Sequence, residues 1–295
     1  MKLRQKMILK RLEPDLERIN QALSGNLATH VGLISQVWDH ILISGGKRIR
    51  PLLFLLAARM CGCREDRLPE ISTIFEYLHA ATLLHDDVVD AATVRRGHSS
   101  ANTIWGNQAV ILVGDFLLSK ALSIAVDTKN IRVMEVLART TTYMAEGEVL
   151  QLVNTGRLDM TEEEYFDVIT RKTAKLMAAA CHIGALLGGA EVRLEEAMEN
   201  FGLNLGITFQ LIDDILDFTG DPQEMGKPVC NDLKEGKITL PFIHVLRQAG
   251  PEEQEQMRVL VKESDVAKLA GELLPLMKKY GSIEYTRSLA RQYTL

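Results

Sequence analysis

Apolar side chains recur along most of the chain at steps of three and four residues, the spacing of one face of an α-helix. The segment from Ile71 to His85 follows this spacing and predicts a helix. The segment from Ile111 to Val126 is apolar on nearly every side, so we expect it in a core or in an oligomer interface. The repeating positions of the first segment are Ile71, Ile74, Phe75, Leu78 and Thr82.

Helix signals dominate the sequence, and strand signals are nearly absent. The chain has eight prolines, but none lies between Pro69 and Pro222, so this stretch can hold several uninterrupted helices. Alternating β-branched and polar residues, which are typical of half-buried strands, do not persist anywhere. No low-complexity linker divides the sequence. We therefore predict an all-α protein in which residues 1–295 form a single large helical bundle.

Local signals predict where some helices begin and end. Thr161 is followed by three glutamates, which resembles a capping box and predicts a helix from there through Ile169. The clusters Gly220-Asp-Pro and Gly226-Lys-Pro predict a helix end followed by a loop. The last residues up to Leu295 have the pattern of an unfinished helix, so we expect the C-terminus to be trimmed.

The composition excludes some classes of protein. With 46% hydrophobic residues and a formal net charge of -5, the chain lacks the basic surplus of a nucleic-acid-binding protein. No signal peptide is visible, and the longest uncharged apolar stretch, Leu176 to Ala190, is shorter than a bilayer span. We expect a cytoplasmic protein with no transmembrane segment. The four cysteines fit no zinc or disulfide framework and are expected to be reduced thiols: Cys61, Cys63, Cys181 and Cys230.

Two aspartate clusters share the spacing Asp-Asp-x-x-Asp, and each lies in strongly apolar sequence. Residues four apart are separated by about 40° around an α-helix, so the first and last aspartates of a cluster share a face. Burying carboxylates is unfavourable unless a cation compensates them. Mg²⁺ is a natural cation for oxygen ligands, since it binds one or two carboxylates together with substrate phosphates. The six residues are Asp86, Asp87, Asp90, Asp213, Asp214 and Asp217.

Several groups of basic residues accompany these clusters. Any one of them taken alone fits a surface charge better than a binding site. Because the chain has no nucleotide-binding loop, the whole set instead predicts a site for polyphosphate groups bridged by Mg²⁺. The groups are Gly45-Gly-Lys-Arg-Ile-Arg-Pro51, Arg95-Arg96, Arg171-Lys172, Lys227 and Lys237.

The sequence resembles the trans-prenyl diphosphate synthase (polyprenyl synthetase) family, and within it the bacterial long-chain branch that makes heptaprenyl, octaprenyl or solanesyl products. The matching motifs cover most of the chain in the family's order. They are Gly45–Pro51, Leu83–Asp90, Arg95–Gly97, Gly114–Leu117, Lys172-Thr173, Phe209–Asp217, Gly226-Lys227 and Asp232–Lys237.

The resemblance implies an isoprenoid synthase fold around a deep central cavity, a homodimer, and roles for individual residues. All six aspartates would hold Mg²⁺, three ions when substrate is bound. Isopentenyl diphosphate would be bound by Lys47, Arg50, His79 and Arg96. The allylic substrate, farnesyl or geranyl diphosphate, would be bound by Arg95, Lys172, Lys227 and Lys237, with Thr173 and Gln210 lining the reacting carbons.

The resemblance also bears on product length, because the growing tail would run beside the helix that carries Asp86. Ala81 and Thr82 lie about one turn before Asp86, where short-chain members of the family have bulky aromatic residues. Both residues here are small, which predicts a long-chain product for quinone side chains. A farnesyl or geranylgeranyl diphosphate synthase is the alternative within the family. A class I terpene cyclase and a non-catalytic subunit of a heteromeric synthase are the alternatives outside it.

Overall fold

The computed structural model describes residues 3–43, 45–95, 97–221, 228–263 and 266–294. Helices make up almost all of the regular secondary structure in the described residues, which confirms the predicted all-α class. Contacts divide the chain into two compact units. The first unit contains Met1–Arg139 and Met177–Gly202, and the second contains Thr140–Leu176 and Leu203–Leu295. The predicted organisation as a single bundle with a central cavity stays a prediction.

The described part of the first half of the chain contains six helices and one short hairpin. In the hairpin, β1 (Val94–Arg95) pairs antiparallel with β2 (His98–Ser99). This two-stranded ribbon is the only sheet in the described part of the chain. The helices are α1 (Leu3–Gly25), α2 (Gly32–Ile43), α3 (Ile49–Met60), α4 (Leu68–Val89), α5 (Ala101–Trp105) and α6 (Asn107–Asp127).

The second half continues as helices, with one five-residue π-helical turn, Thr170–Ala174, between α8 and α9. Among these helices, α7, α9 and α10 each have residues in both units. The helices are α7 (Ile131–Asn154), α8 (Glu162–Ile169), α9 (Lys175–Leu187), α10 (Val192–Thr219), α11 (Asn231–Lys234), α12 (Leu240–Gln248), α13 (Pro251–Glu263), α14 (Val266–Lys279) and α15 (Ser282–Gln292).

Helix α4 is the centre of the first unit and packs against α1, α3 and α6. The positions that repeated in the sequence are its core face, since Ile71, Ile74, Phe75 and Leu78 are all buried. Burying each such side chain contributes about 1.5–3 kcal/mol to folding. The helix is therefore rigidly held at its centre. Its last turn carries the first aspartate cluster.

Helix α6 has one buried and one exposed apolar face. Val113 and Leu117 are buried, and the helix packs against α4. Leu112 is 67% exposed and Val126 57% exposed. Among the described helices only α6 is long and apolar enough to cross a membrane by length and composition, a test that the core helix of a soluble protein also passes. The predicted burial in a core is confirmed for one face, and the predicted oligomer interface stays open for the other.

The second unit has its own apolar core, which includes Leu211, Phe218, Phe242 and Leu273. Helix α8 contributes Tyr165 to this core and begins with a capping box. The Thr161 side chain accepts from the Glu164 backbone N–H, and the Glu164 carboxylate accepts from the Thr161 backbone N–H. This confirms the predicted start of the helix, and its end at Ile169 is confirmed as well. All four cysteines are free thiols, as predicted.

Candidate active site

The first aspartate cluster lies at the carboxyl end of α4. Asp86 and Asp87 are in its last turn, and Asp90 caps it. The partial negative charge of a helix carboxyl end disfavours acidic side chains there, so folding alone does not explain this placement. Asp86 is half-buried and Asp90 exposed, whereas Asp87 is buried. The cluster thus offers two accessible carboxylates to a cation.

Asp87 is engaged by a neighbouring arginine. The Arg95 guanidinium, carried by β1, lies 2.6 Å from Asp87 Oδ1 through both Nε and a terminal nitrogen. Burial raises the pKa of Asp87, and Asp86 and Asp90 add to the rise, while Arg95 opposes it. The Asn102 side chain donates to the Asp87 backbone carbonyl at 2.9 Å. The hairpin and α5 are therefore both bonded to the carboxyl end of α4, the hairpin by an ion pair and α5 by a hydrogen bond.

The glycine-rich basic loop is fastened to the same helix through Arg48. This residue has a left-handed backbone (φ 49°) and is buried. Its guanidinium lies 2.6 Å from Glu76 on α4 and 3.1 Å from the Asn20 side chain. Glu76 lies one turn before His79, so the ion pair joins the loop to the part of α4 that carries His79. Arg48 is thus structural, although the sequence motif presents it as one cation among three.

The predicted isopentenyl diphosphate residues lie on either side of this anchor. Lys47 is exposed, Arg50 is half-buried in the first turn of α3, and His79 is half-buried on α4. Arg96, the fourth predicted member, lies outside the described residues. The structure therefore places three of the four in one unit.

The second aspartate cluster lies near the carboxyl end of α10. Asp213 is half-buried, whereas Asp214 and Asp217 are buried. Asp217 accepts a hydrogen bond from the Asp232 backbone N–H at 3.3 Å. The three carboxylates of this cluster thus differ in environment, and Asp213 is the accessible one.

Asp214 lies at the buried end of a hydrogen-bonded series. The Tyr165 hydroxyl donates to Asp214 Oδ2 at 2.5 Å, and the Gln210 amide donates to Asp214 Oδ1 at 2.8 Å. Thr173 in turn donates to the Gln210 side-chain oxygen at 3.0 Å. Burial, together with Asp232 and Asp213, raises the pKa of Asp214 to about 8, despite these two hydrogen bonds. Two predicted site residues, Thr173 and Gln210, are therefore brought together.

The π-helical turn carries Lys172 and Thr173, and π-helical turns are frequent at functional sites. Lys172 Nζ lies 2.5 Å from Glu148 on α7. The preceding Arg171 pairs with Glu146, on the same helix, and lies 2.6 Å from Asp167. The turn is thus held by two adjacent ion pairs to α7, and one of them contains a residue predicted to bind diphosphate.

Two glycines let neighbouring helices approach this turn closely. A Cβ on Gly147 of α7 would lie 2.6 Å from the Lys172 backbone nitrogen. A Cβ on Gly206 of α10 would lie 2.5 Å from the Ala174 Cα. Both distances are far below van der Waals contact, so the turn fits only because neither glycine has a side chain.

Replacing Gly147 or Gly206 by alanine is therefore expected to force the backbone of the turn to move. Each substitution should lower the free energy of unfolding by about 1–3 kcal/mol, the usual effect of overpacking. A Cβ on Gly271, inside α14, would meet no atom within 4 Å, so Gly271→Ala should raise stability by about 0.5–1 kcal/mol. Denaturant unfolding of the three variants gives these values. Equal stability of Gly147→Ala and Gly271→Ala would contradict the close packing.

The remaining predicted residues lie as follows. Lys237 Nζ is 2.8 Å from the Glu235 carboxylate. Ala81 is buried on α4, and the adjacent Thr82 is half-buried, with its hydroxyl donating to the His79 backbone carbonyl at 2.8 Å. Lys227 lies outside the described residues.

The aspartate clusters suit a divalent cation that arrives with an anionic ligand. The described ranges contain no preformed group of three or more His, Cys, Asp or Glu side chains able to hold a metal ion. Mg²⁺ does not need such a cage, because it binds one or two carboxylates and completes its shell with phosphate oxygens and water. In the first unit Asp86 and Asp90 are at least partly exposed, and in the second unit Asp213 is, so each cluster by itself offers a carboxylate of this kind.

Comparison with known proteins identifies the family. The sequence model of the polyprenyl synthetase family matches residues 31–273. The chain belongs to the polyprenyl synthetase family. The octaprenyl diphosphate synthase of Escherichia coli (strain K12) is 40% identical over 278 residues, which are 94% of this chain and 86% of the relative. The all-trans-nonaprenyl-diphosphate synthase (geranyl-diphosphate specific) of Rhodobacter capsulatus is 36% identical, over 97% and 88% of the two chains.

A solved polyprenyl synthetase has the same fold. The polyprenyl synthase of Caulobacter crescentus CB15, complexed with calcium and isoprenyl diphosphate, has a TM-score of 0.91 and 37% identity. The match covers 97% of this chain and 87% of that one. These findings confirm the predicted family, the isoprenoid synthase fold and the enzyme class, a prenyltransferase. A divalent metal ion is a cofactor of this family.

Sequence reasoning missed several residues of this polyprenyl synthetase that hold predicted site residues in place. Tyr165 bonds to Asp214, Glu148 pairs with Lys172, and Glu76 pairs with Arg48. Each lies far along the chain from its partner and outside the aspartate motifs. Glu148 follows Gly147 directly, and a helix-interior glycine can mark close packing. That was the one local signal that could have drawn attention to this contact.

Proposed function

We propose that the chain is a Mg²⁺-dependent synthase that condenses isopentenyl diphosphate repeatedly onto an allylic diphosphate, giving a long all-trans polyprenyl diphosphate. The observation that carries this proposal is the pair of Asp-Asp-x-x-Asp clusters, each near the carboxyl end of a long helix. In a polyprenyl synthetase this arrangement fits metal-bound diphosphate. We propose that both clusters act on the same allylic diphosphate.

The chemistry begins with loss of diphosphate from the allylic substrate. Bound Mg²⁺ would neutralise the charge that develops on the leaving diphosphate. Arg95 pairs with Asp87 of the first cluster. Lys172 directly precedes Thr173, which is linked through Gln210 to the second cluster. Both cations would add positive charge to the leaving diphosphate. Lys47, Arg50 and His79 would hold isopentenyl diphosphate so that its double bond attacks the allylic carbocation. Transfer of a proton from the new carbon skeleton to the released diphosphate would then give an allylic diphosphate one unit longer.

The proposed product is long, of the hexaprenyl to decaprenyl class used in quinone side chains. Small residues at Ala81 and Thr82 support this proposal, because nothing bulky stands one turn before Asp86. Thr82 is the more accessible of the two. A short-chain or medium-chain product remains the alternative, and product analysis decides between them.

The proposed assembly is a homodimer that uses the exposed face of α6. Ile111, Leu112 and Val126 are large apolar side chains exposed on this face, and exposed apolar side chains of this size support an interface there. The enzyme is proposed to work in the cytoplasm, where both soluble diphosphate substrates are available.

Incubation of the purified protein with farnesyl diphosphate, labelled isopentenyl diphosphate and Mg²⁺ tests the proposed function. Elongated diphosphates, lost when EDTA removes the metal, are the expected result. Cyclic hydrocarbons would instead identify a terpene cyclase. Absence of any product with farnesyl, geranyl and geranylgeranyl starters would favour a non-catalytic subunit and would overturn the proposal.

A further inference from the structure

The second aspartate cluster contains one member whose surroundings do not suit a metal ligand. Asp214 is only 1% exposed. Both of its carboxylate oxygens already accept a hydrogen bond, one from Tyr165 and one from Gln210. Asp213, the adjacent residue, is half-buried. The two aspartates therefore differ in solvent exposure, although the motif predicts the same role for both.

The hydrogen bonds to Asp214 fix the orientation of Gln210. The Gln210 amide nitrogen faces Asp214 and donates to its Oδ1 at 2.8 Å, while Tyr165 donates to the other oxygen. Its oxygen is then left to face Thr173, and it accepts from the Thr173 hydroxyl at 3.0 Å. The single proton of that hydroxyl is thereby used. The Thr173 oxygen keeps only acceptor capacity, which suits a neighbouring positive charge rather than an anion.

We propose that Tyr165 and Asp214 are positioning residues, which orient Gln210 and Thr173 toward the cationic reacting carbons of the allylic substrate. This inference rests on the proposed function and assigns Asp214 a role other than the metal ligand that the motif predicts. Tyr165 donates to Asp214 from one side. From the other side Thr173 donates to Gln210, and Gln210 donates to Asp214.

Packing supports a fixed geometry for this series. Tyr165 is 2% exposed and lies in the apolar core of the second unit. Thr173 lies in the π-helical turn, which α10 approaches closely at Gly206. Gln210 and Asp214 are four residues apart on α10 and share one face. Every member thus has a backbone that is held independently of the hydrogen bonds, so a change at Tyr165 acts through side-chain orientation.

A double-mutant cycle between Tyr165→Phe and Thr173→Val tests the inference, measured as kcat for a single condensation. Tyr165→Phe keeps the ring and removes the hydroxyl. It should lower kcat by about 10- to 100-fold, as expected for misplaced groups, with KM for both substrates changed less than about threefold. Because both residues act through Gln210, adding Tyr165→Phe to Thr173→Val should lower kcat by less than about threefold more.

Tyr285→Phe is the matched control, since its hydroxyl also bonds a carboxylate, Glu162, in the same unit. Its kcat should stay within about twofold of the wild-type value, because Tyr285 has no link to Thr173. A second readout is calorimetric binding of magnesium pyrophosphate. Asp214→Asn should bind this probe within about threefold of wild type, whereas a far weaker affinity would mean that Asp214 is a ligand and would overturn the inference.

The other outcomes are equally decisive. The positioning role would also be refuted if the fold-loss of kcat in the double mutant equalled the product of the two single-mutant losses. A Tyr165→Phe enzyme with wild-type kcat would refute it as well. If the Tyr165→Phe protein does not fold, Asp214→Asn takes its place in the same cycle, with the same expected coupling. Wild-type protein that makes no elongated product would contradict the proposed function instead, so the two failures are distinguishable.

Discussion

Replacing Asp86 by asparagine is expected to lower kcat by roughly 100- to 1,000-fold, the usual effect of removing one group that stabilises developing charge. Asp86 is half-buried at the carboxyl end of α4 and is an accessible carboxylate of its cluster. Asparagine has the same shape but no negative charge, so it binds a divalent cation poorly. Asp213→Asn should have an effect of similar size, because Asp213 is the accessible member of the second cluster.

Stability measurements separate this loss from misfolding. Asp86 stands beside two other carboxylates at a helix carboxyl end, where negative charge is unfavourable. Removing its charge should therefore leave the melting temperature unchanged or raised. Asp66→Asn, at an exposed aspartate in the loop before α4, is the control and should keep wild-type kcat. Near-normal turnover by either Asp86→Asn or Asp213→Asn would remove that residue from the catalytic set.

Replacing Thr82 by phenylalanine is expected to shorten the main product by at least one isoprene unit while condensation continues. Thr82 precedes Asp86 by four residues, about 6 Å along the helix axis, and it is half-buried rather than fully packed. An aromatic ring there would lie in the path proposed for the growing tail. Ala81→Phe should shorten the product as well, but Ala81 is buried, so overpacking should also lower stability by about 1–3 kcal/mol.

Thr82→Val is the matched control for this experiment. Valine removes the hydroxyl, and with it the bond to the His79 carbonyl, without adding an aromatic ring. Its product distribution should equal that of the wild type. Chromatography of the dephosphorylated products gives the chain lengths directly. The same chain length from wild type, Thr82→Phe and Ala81→Phe would place the end of the product tunnel elsewhere.

The features that sequence predicted well are those fixed by neighbours along the chain. The apolar repeat at Ile71, Ile74 and Phe75 predicted the core face of α4, because a helix face depends on local spacing alone. The capping box at Thr161 was predicted for the same reason, since its two hydrogen bonds join residues three apart. The end of α10 at Thr219, directly before Gly220, also follows a local signal.

The features that sequence did not predict depend on tertiary contacts. The π-helical turn at Thr170–Ala174 reads as ordinary helix, and only the close packing on Gly147 and Gly206 distinguishes it. Asp214 is buried whereas Asp213 is half-buried, although the motif predicts the same role for both residues. The division of contacts into two units was likewise invisible, because no linker marks it.

The π-helical turn has a consequence for how this segment tolerates insertions and deletions. A π turn closes its hydrogen bonds over five residues instead of four, so it holds one residue more than regular α-helix would. Deleting one residue from Thr170–Ala174 would remove this surplus and leave regular α-helix, so the phase between α8 and α9 would be kept. The widened turn that carries Lys172 and Thr173 would be lost. The surplus residue therefore provides the local widening at these two side chains, not the orientation of the helices on either side.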